Sequence, residues 1–219
     1  MVLVQEPAVA GMNHVSVVRL RHRWRVGDWR GDLERDLNEV IGLTEVARVP
    51  VYLVGGLGLA VRQGDFYRNH ADVDVAVFLP ELPELLRKLD SEGYQLFEAR
   101  AGFPVSPWHR FDRFRSVSLS DVMTQPDGRC LRLIRGASSQ GTMFTSRRAD
   151  VIDLLLLSQV SDRISLHGYD CDVPASDFFP DSPFVGSSYL RLPNLAYKAH
   201  LPRTWPRQRQ DLAFAGISG

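Results

Sequence analysis

The sequence predicts an α/β fold. Its 219 residues are 44% hydrophobic and 24% charged, an ordinary globular composition that is sufficient for one sizeable α/β domain, or for one domain with a small appendage. Segments in which apolar residues recur at helical spacing alternate along the chain with short runs, rich in Val and Leu, that have the length of strands. This alternation predicts a sheet with helices packed against it.

The first element is a predicted strand over residues 14–26. Apolar and basic side chains alternate there, and one face carries Arg19, Arg21, Arg23 and Arg25. Two interpretations of this face stay open. The arginines form the solvated side of an edge strand, where charge discourages aggregation, or they form a binding face for an acidic partner.

Three helices and a strand come next. Apolar residues at helical spacing predict an amphipathic helix over residues 31–46, and the following run VYLV predicts a short buried strand. A second helix is predicted over residues 57–63 and ends at Gly64. A third helix covers residues 82–92 and ends at Gly93.

Between the second and third helices, the stretch RNHADVDVAVF places two acidic residues in an apolar strand. Side chains alternate between the two faces of a strand, so Asp72 and Asp74 share a face with Ala76 and Phe78. Neighbouring carboxylates repel each other, and removing them from water is costly unless a cation lies between them. The pair therefore predicts a site for a divalent metal.

The composition argues against several classes of protein. The net charge is zero, which gives no general attraction to nucleic acid or to an anionic membrane. The longest apolar runs are too short to span a bilayer and the N-terminus lacks the pattern of a signal peptide, so we expect a cytoplasmic protein. Cys130 and Cys171 have no CxxC neighbour, which disfavours a zinc knuckle or a disulfide framework, and we expect both to be buried.

The order helix, strand, Gly-Gly, helix, strand with two aspartates carries a more specific resemblance. The residues that match are Gly55, Gly56, Arg68, His70, Asp72 and Asp74, the last four in the pattern Arg-x-His-x-Asp-x-Asp. This set resembles the nucleotidyltransferases of the DNA polymerase beta superfamily, in particular antibiotic nucleotidyltransferases of the aminoglycoside and lincosamide type. The resemblance implies a mixed β-sheet flanked by helices, with a short helical C-terminal segment.

The resemblance also implies the chemistry of the site. Such enzymes use a nucleoside triphosphate, here expected to be ATP, and two Mg²⁺ ions that stabilise the attacking and leaving oxygens. They need a third carboxylate from a strand beside the first pair. Asp153 is the preferred candidate, because a carboxylate inside the apolar run VIDLLLL requires a compensating partner and metal would supply it. Asp150, at the start of that run, stays open as the alternative.

Five residues are predicted to bind the nucleotide. The backbone N–H groups of Gly55 and Gly56, at the start of a helix, are expected to approach a phosphate. Arg68 contacts phosphate or supports the aspartates, and His70 orients an aspartate or has a structural role. Lys198 is expected to reach the β- or γ-phosphate and offset the charge of departing pyrophosphate.

The predicted organisation has three parts: an N-terminal extension over residues 1–30, a nucleotidyltransferase core over residues 31–175, and a helical C-terminal segment over residues 176–219 that packs on the core. The segment 99–148 is rich in aromatic residues but carries no recognised motif. It forms either an acceptor pocket or a dimer interface, and the oligomeric state stays open.

Three functions are compatible with these residues. The first is transfer of a nucleoside monophosphate to a hydroxyl of a small molecule, with release of pyrophosphate. The second is transfer to tRNA or another macromolecule, as in the nucleotidyltransferase toxins. Zero net charge favours the first, because tight RNA binding requires many phosphate contacts. The third, a nucleotide-binding module without catalysis, is disfavoured because the acidic pair and a third carboxylate occur together.

Overall fold

A computed structural model describes residues 17–22, 28–70, 72–99, 112–136, 140–145, 147–169, 171–179, 188–201 and 206–217. Within these residues the strands are β1 (Val17–His22), β2 (Val51–Leu53), β3 (Val73–Phe78), β4 (Tyr94–Ala99), β5 (Asp112–Ser116), β6 (Leu131–Arg135), β7 (Gln140–Thr145), β8 (Val151–Val160), β9 (Arg163–Leu166), β10 (Cys171–Pro174) and β11 (Leu190–Arg191). The α-helices are α1 (Trp29–Ala47), α2 (Gly55–Gln63), α3 (Leu82–Asp90), α4 (Leu119–Thr124), α5 (Ala175–Phe178) and α6 (Pro206–Phe214).

The strands form one mixed sheet. Its order is β11-β2-β3-β8-β6-β4-β5-β1-β7, and β9 extends it by pairing with β8 and β10. Strand β3 runs parallel to β8 and antiparallel to β2, while β6 runs antiparallel to β8. The predicted mixed sheet is confirmed.

Helices cover both faces of this sheet. Val73, Val75 and Val77 of β3 belong to a core that also contains the apolar faces of α1 and α3. Ala76 belongs to a second core on the other face, beside α5, and Phe78 packs against it. The alternation predicted for the aspartate-containing strand is therefore confirmed from Val73 onward, and it directs Asp74 toward the side of the second core.

The helices differ from the predicted ranges only at their ends. Helix α1 begins earlier than predicted because the Asp28 carboxylate caps it by accepting a hydrogen bond from the Gly31 backbone N–H at 3.0 Å. Helix α2 begins at Gly55 rather than at residue 57, so the Gly-Gly pair forms its first turn. Helix α3 ends at Asp90, two residues before the predicted end.

Two local expectations need correction. Strand β3 begins at Val73, so Asp72 lies immediately before the strand and takes no part in its ladder. Cys130 is exposed and Cys171 is only partly buried, although both were expected in the core. Cys130 directly precedes β6, where the chain has not yet entered the sheet.

Some predictions concern residues outside the described ranges. The backbone of β1 forms the predicted strand, but Arg23 and Arg25 lie outside the described residues, so the arginine face stays a prediction. Residues 100–111 also lie outside them, and the role of segment 99–148 is untested. The domain boundaries stay predictions too. In the C-terminal segment, β11 joins the sheet beside β2.

Candidate functional site

Three carboxylates meet where β3 and β8 begin. Asp74 of β3 lies opposite Asp153 of β8 in the parallel register, and Asp72 immediately precedes β3. One oxygen atom from each of the three carboxylates lies within 4.8 Å of the others. We call Asp72, Asp74 and Asp153 the acidic cluster. The structure thus brings together the predicted pair and the preferred third carboxylate.

The charge of the acidic cluster is only partly compensated. Burial raises the pKa of Asp74 well above its usual value, and the nearby charges of Asp72 and Asp153 raise it further. Lys198 and Arg132 act in the opposite direction. Mg²⁺ binds oxygen ligands and is usually held by one or two carboxylates together with substrate phosphates, so these residues fit a divalent cation.

Arg132 is a member of the site that sequence analysis missed. It lies opposite Asp153 in the antiparallel pairing of β6 and β8, forms an ion pair with that carboxylate, and donates from Nη2 to Oδ2 at 3.2 Å. Its guanidinium lies over the Phe114 ring at 4.7 Å. Asp153 was predicted to need a compensating partner, and Arg132 is one such partner. The sequence feature that could have indicated Arg132 is a basic residue inside the apolar strand LRLIR.

Asp150 lies elsewhere. It belongs to a 3-10 turn, Arg148–Asp150, ahead of β8, and accepts a hydrogen bond from Arg135 Nε at 3.0 Å. Among the described residues it is not one of the carboxylates that approach each other closely enough to share a metal ion. This geometry favours Asp153 over Asp150 as the third carboxylate.

The Gly-Gly pair is required for a reason that differs from the prediction. Gly55 has a φ of +66°, and a Cβ atom there would collide with the Asp74 carboxylate. A Cβ atom at Gly56 would collide with the Arg68 guanidinium and would lie 3.0 Å from His70 Cε1. The Gly55 N–H donates to the Tyr197 phenol oxygen. Both glycines therefore let motif side chains pack directly on the backbone, and phosphate binding by their N–H groups stays a prediction.

A second charged cluster forms around Asp211 of α6. Its carboxylate lies 3.1 Å from Arg68 Nη2 and 3.8 Å from Lys198 Nζ, and it accepts a hydrogen bond from the Tyr67 hydroxyl. The Tyr67 ring stacks on Phe214 of α6 with centroids 3.8 Å apart. We call Tyr67, Arg68, Lys198 and Asp211 the Asp211 cluster. Sequence analysis predicted Arg68 and Lys198 as site residues, but it missed Tyr67.

Lys198 connects the two clusters. It belongs to a 3-10 helix, Leu195–His200, in place of the predicted helix, and only 4% of its side chain is exposed. Burial lowers its pKa, while the charges of Asp211 and then Asp74 raise it. The ammonium group is thus influenced by the carboxylates of both clusters.

His70 is buried, with its ring edge against the Tyr67 ring at a centroid distance of 5.5 Å. Its backbone carbonyl accepts a hydrogen bond from Arg148 Nε at 2.6 Å. The ring lies on the backbone at Gly56. This packing supports the structural role that was open for His70, and a contact with an aspartate stays a prediction.

Comparisons with known proteins agree with the class of site that these clusters define. The model of the aminoglycoside-2''-adenylyltransferase family matches residues 36–132, a range that includes the Gly-Gly pair, Arg68, His70, Asp72 and Asp74. The resemblance to antibiotic nucleotidyltransferases is confirmed by this match. The matched range ends before Asp153 and Lys198.

Among solved structures, a similar chain is that of ANT(2'')-Ia in complex with adenylyl-2''-tobramycin. It has 12% sequence identity and a TM-score of 0.47, and the alignment covers 84% of this chain and 87% of that chain. No curated protein matches the sequence. Within the described residues, no helix is both long enough and apolar enough to cross a membrane.

Proposed function

We propose that the protein transfers a nucleoside monophosphate from a nucleoside triphosphate, with ATP as the expected donor, to a hydroxyl of a small-molecule acceptor. One observation carries the proposal: a cluster of three carboxylates lies beside a cluster with two largely buried cations. The carboxylates of both clusters influence the Lys198 ammonium group. Nucleotidyl transfer needs this combination, because the substrate combines a divalent cation with a polyanion.

Asp72, Asp74 and Asp153 would hold Mg²⁺, with two ions expected. When bound, the metal would neutralise the triphosphate and polarise its α-phosphorus. Arg132 keeps Asp153 oriented, since a guanidinium pairs with a carboxylate through two parallel contacts. In the reaction the acceptor oxygen would form a bond to the α-phosphorus, the bond to pyrophosphate would break, and the hydroxyl proton would pass to solvent water.

Arg68 and Lys198 are assigned to the phosphates that leave. Both are largely buried, with 14% and 4% of their side chains exposed, and a cation out of water attracts an anion more strongly than a solvated one does. Both side chains pair with the Asp211 carboxylate, and the charge of Asp74 also acts on Lys198. Their positive charges would complement pyrophosphate as its negative charge develops.

The acceptor class follows from the resemblance and from the charge of the chain. The family that matches residues 36–132 is named for adenylyl transfer to aminoglycosides, and the related solved chain holds an adenylylated aminoglycoside. A net charge of zero disfavours a nucleic acid acceptor. We therefore place aminoglycosides and lincosamides first among the acceptors to test.

The test is a transfer assay with each α-labelled nucleoside triphosphate and Mg²⁺, offered aminoglycosides, lincosamides or total tRNA. We expect label on a small molecule, none in the presence of EDTA, and none with Asp74→Asn. Label on tRNA alone would show that the acceptor is macromolecular. Binding of ATP without pyrophosphate release for every acceptor offered would favour a non-catalytic module.

A further inference from the structure

The segment that leads to Asp72 is held by a buried arginine from the other side of the site. Arg148, in the turn before β8, donates from Nε to the His70 carbonyl at 2.6 Å and from Nη2 to the Asn69 side-chain oxygen at 2.8 Å. Residues 65–70 have no regular secondary structure. Contacts of this kind therefore determine where the segment lies, since no strand ladder does so.

Asp36 of α1 fixes this arginine. One oxygen, Oδ2, accepts from the Arg148 backbone N–H at 3.1 Å and lies 3.3 Å from Nη1. The exposed fractions of the two side chains are 3% for Arg148 and 0% for Asp36. Arg148 thus directs separate nitrogen atoms of one planar group to α1 and to the segment before Asp72.

Stability alone does not account for this pair. Bringing two charges out of water is costly, and a well-packed apolar pair is often at least as stable. The other oxygen of Asp36, Oδ1, is buried without a hydrogen-bond partner among the described residues, so the burial is not fully compensated. What the pair does provide is a fixed geometry between α1, residues 69–70 and the start of β8.

The acidic cluster needs that geometry at one position in particular. Asp74 and Asp153 are held opposite each other by the pairing of β3 and β8, whereas Asp72 lies before β3 and outside this ladder. Arg68, four residues before Asp72, is anchored to α6 through its ion pair with Asp211. Arg148 anchors the end nearer to Asp72, and strand β8, which follows its turn, carries Asp153 five residues later.

We propose that Arg148, oriented by Asp36, is a positioning residue that holds Asp72 close enough to Asp74 and Asp153 for the three to bind one divalent cation. This inference rests on the proposed function, because it assumes that the acidic cluster binds metal. Arg148 does not itself touch the carboxylates in this assignment. It acts through the His70 carbonyl and the Asn69 side chain.

The test is the affinity of the full chain for Mn²⁺, measured by titration without nucleotide, together with the thermal midpoint of the metal-free protein. Arg148→Lys keeps the charge opposite Asp36, but a single ammonium group cannot reach Asp36, His70 and Asn69 together. We expect Mn²⁺ affinity to fall by about tenfold or more, as is usual when a residue that supports metal ligands is changed.

Arg147→Lys is the matched control. Arg147 immediately precedes Arg148 and also pairs with α1, through Glu39, but its side chain is 44% exposed. Its replacement should leave Mn²⁺ affinity unchanged. Asn69→Ala is a second variant that leaves the buried pair intact, because the Asn69 residue is exposed, and we expect a loss of affinity smaller than that of Arg148→Lys.

The outcomes separate this inference from the proposed function. If the wild type binds Mn²⁺ and Asp74→Asn does not, but Arg148→Lys and Asn69→Ala bind like the wild type, the positioning role is wrong and the metal site stands. Should Arg148→Lys fail to fold, the Asn69→Ala result alone decides. If the wild type shows no Mn²⁺ binding that depends on Asp74, the proposed function and this inference fail together.

Discussion

The acidic cluster and the Asp211 cluster are both at least partly removed from water, but the described side chains balance their charges differently. In the first, three carboxylates lie near Arg132 and are also influenced by Lys198. In the second, Arg68 and Lys198 both pair with Asp211. Acidic residues therefore predominate in the first cluster and basic residues in the second, and Lys198 is influenced by the carboxylates of both.

This difference distinguishes a site prepared for a ligand from a purely structural network. Buried charges in a structural network compensate one another, because an uncompensated charge out of water destabilises the fold. In the proposed function, a divalent cation would compensate the carboxylates of the first cluster, and the triphosphate bound to that cation would contact the basic residues of the second. The two clusters would then form the halves of one nucleotide site.

The largest expected effect comes from removing one charge of the acidic cluster. Asp74→Asn should lower the rate of nucleotidyl transfer by several orders of magnitude, because the metal loses a ligand. The metal-free protein should keep its free energy of unfolding or gain about 1 kcal/mol, since a repulsive arrangement is relieved. Burial raises the pKa of Asp74, and the same charges of Asp72 and Asp153 raise it further. Product formation and chemical denaturation measure the two effects.

Asp150→Asn is the matched control, because Asp150 lies in the turn before β8 and pairs with Arg135 instead. It should keep most of the transfer activity and lose stability. If Asp74→Asn instead unfolds more easily than the wild type while transfer continues, Asp74 is a structural acid. The acidic cluster would then differ from the Asp211 cluster only in the sign of its charges.

The next largest effect concerns the Asp211 cluster. Lys198→Met should raise KM for the nucleoside triphosphate by about 10- to 100-fold, the range that corresponds to losing one contact with a charged group. The free energy of unfolding should stay level, because burial lowers the pKa of Lys198 and its charge is held at a cost. Steady-state kinetics at saturating acceptor concentration would measure the change.

The chain offers one close control for this variant. Lys88 is the other lysine of the sequence, and it lies on α3 beside Glu84 at 3.9 Å. Lys88→Met should leave KM unchanged. An equal KM for both lysine variants would mean that the Lys198 ammonium group does not bind the nucleotide.

A smaller effect is expected at Gly55, where the close contact with the Asp74 carboxylate can be distinguished from ordinary backbone strain. Gly55 and Gly64 both have positive φ, but a Cβ atom would meet the Asp74 carboxylate at Gly55 and nothing within 4 Å at Gly64. Gly64→Ala should cost about 1 kcal/mol of stability. Gly55→Ala should cost more and should also reduce Mn²⁺ affinity, which Gly64→Ala leaves unchanged. Equal costs and equal affinities would refute the contact.

The smallest expected effect is that of Tyr67→Phe. The phenol donates to Asp211, which still has Arg68 and Lys198 as partners when the hydroxyl is removed. The free energy of unfolding should fall by about 1 kcal/mol, the usual net contribution of one hydrogen bond, and KM for the nucleotide should change less than twofold. A KM increase as large as that of Lys198→Met would place Tyr67 among the phosphate-binding residues.

Sequence analysis predicted the parts of this site that depend on local pattern. Asp72 and Asp74 were recognised because acidic residues interrupt an apolar strand, and Asp153 because its surroundings in VIDLLLL are even more apolar. The spacing of apolar residues also predicted α1 and α3 to within a few residues. Each of these signals lies within a short stretch of chain.

The parts that were missed depend on contacts between distant segments. Arg132 meets Asp153 only because β6 pairs with β8 in one particular register, and a strand does not carry its register in its own sequence. Arg148 and Asp36 are 112 positions apart, and neither belongs to a motif. The sequence also could not show why glycine is needed at positions 55 and 56, because that depends on which distant side chains pack against them.

The pairing of β3 with β8 has a consequence for folding. The two strands are parallel and the chain between them contributes four other strands, so this contact forms only after a long loop has closed, which is slow. A slip of one residue would move Asp153 to the opposite face of the sheet. A nearly native but misregistered chain would therefore contain all three carboxylates and still lack the proposed metal site, so we expect Mn²⁺ binding to appear during refolding only when these strands reach their native alignment.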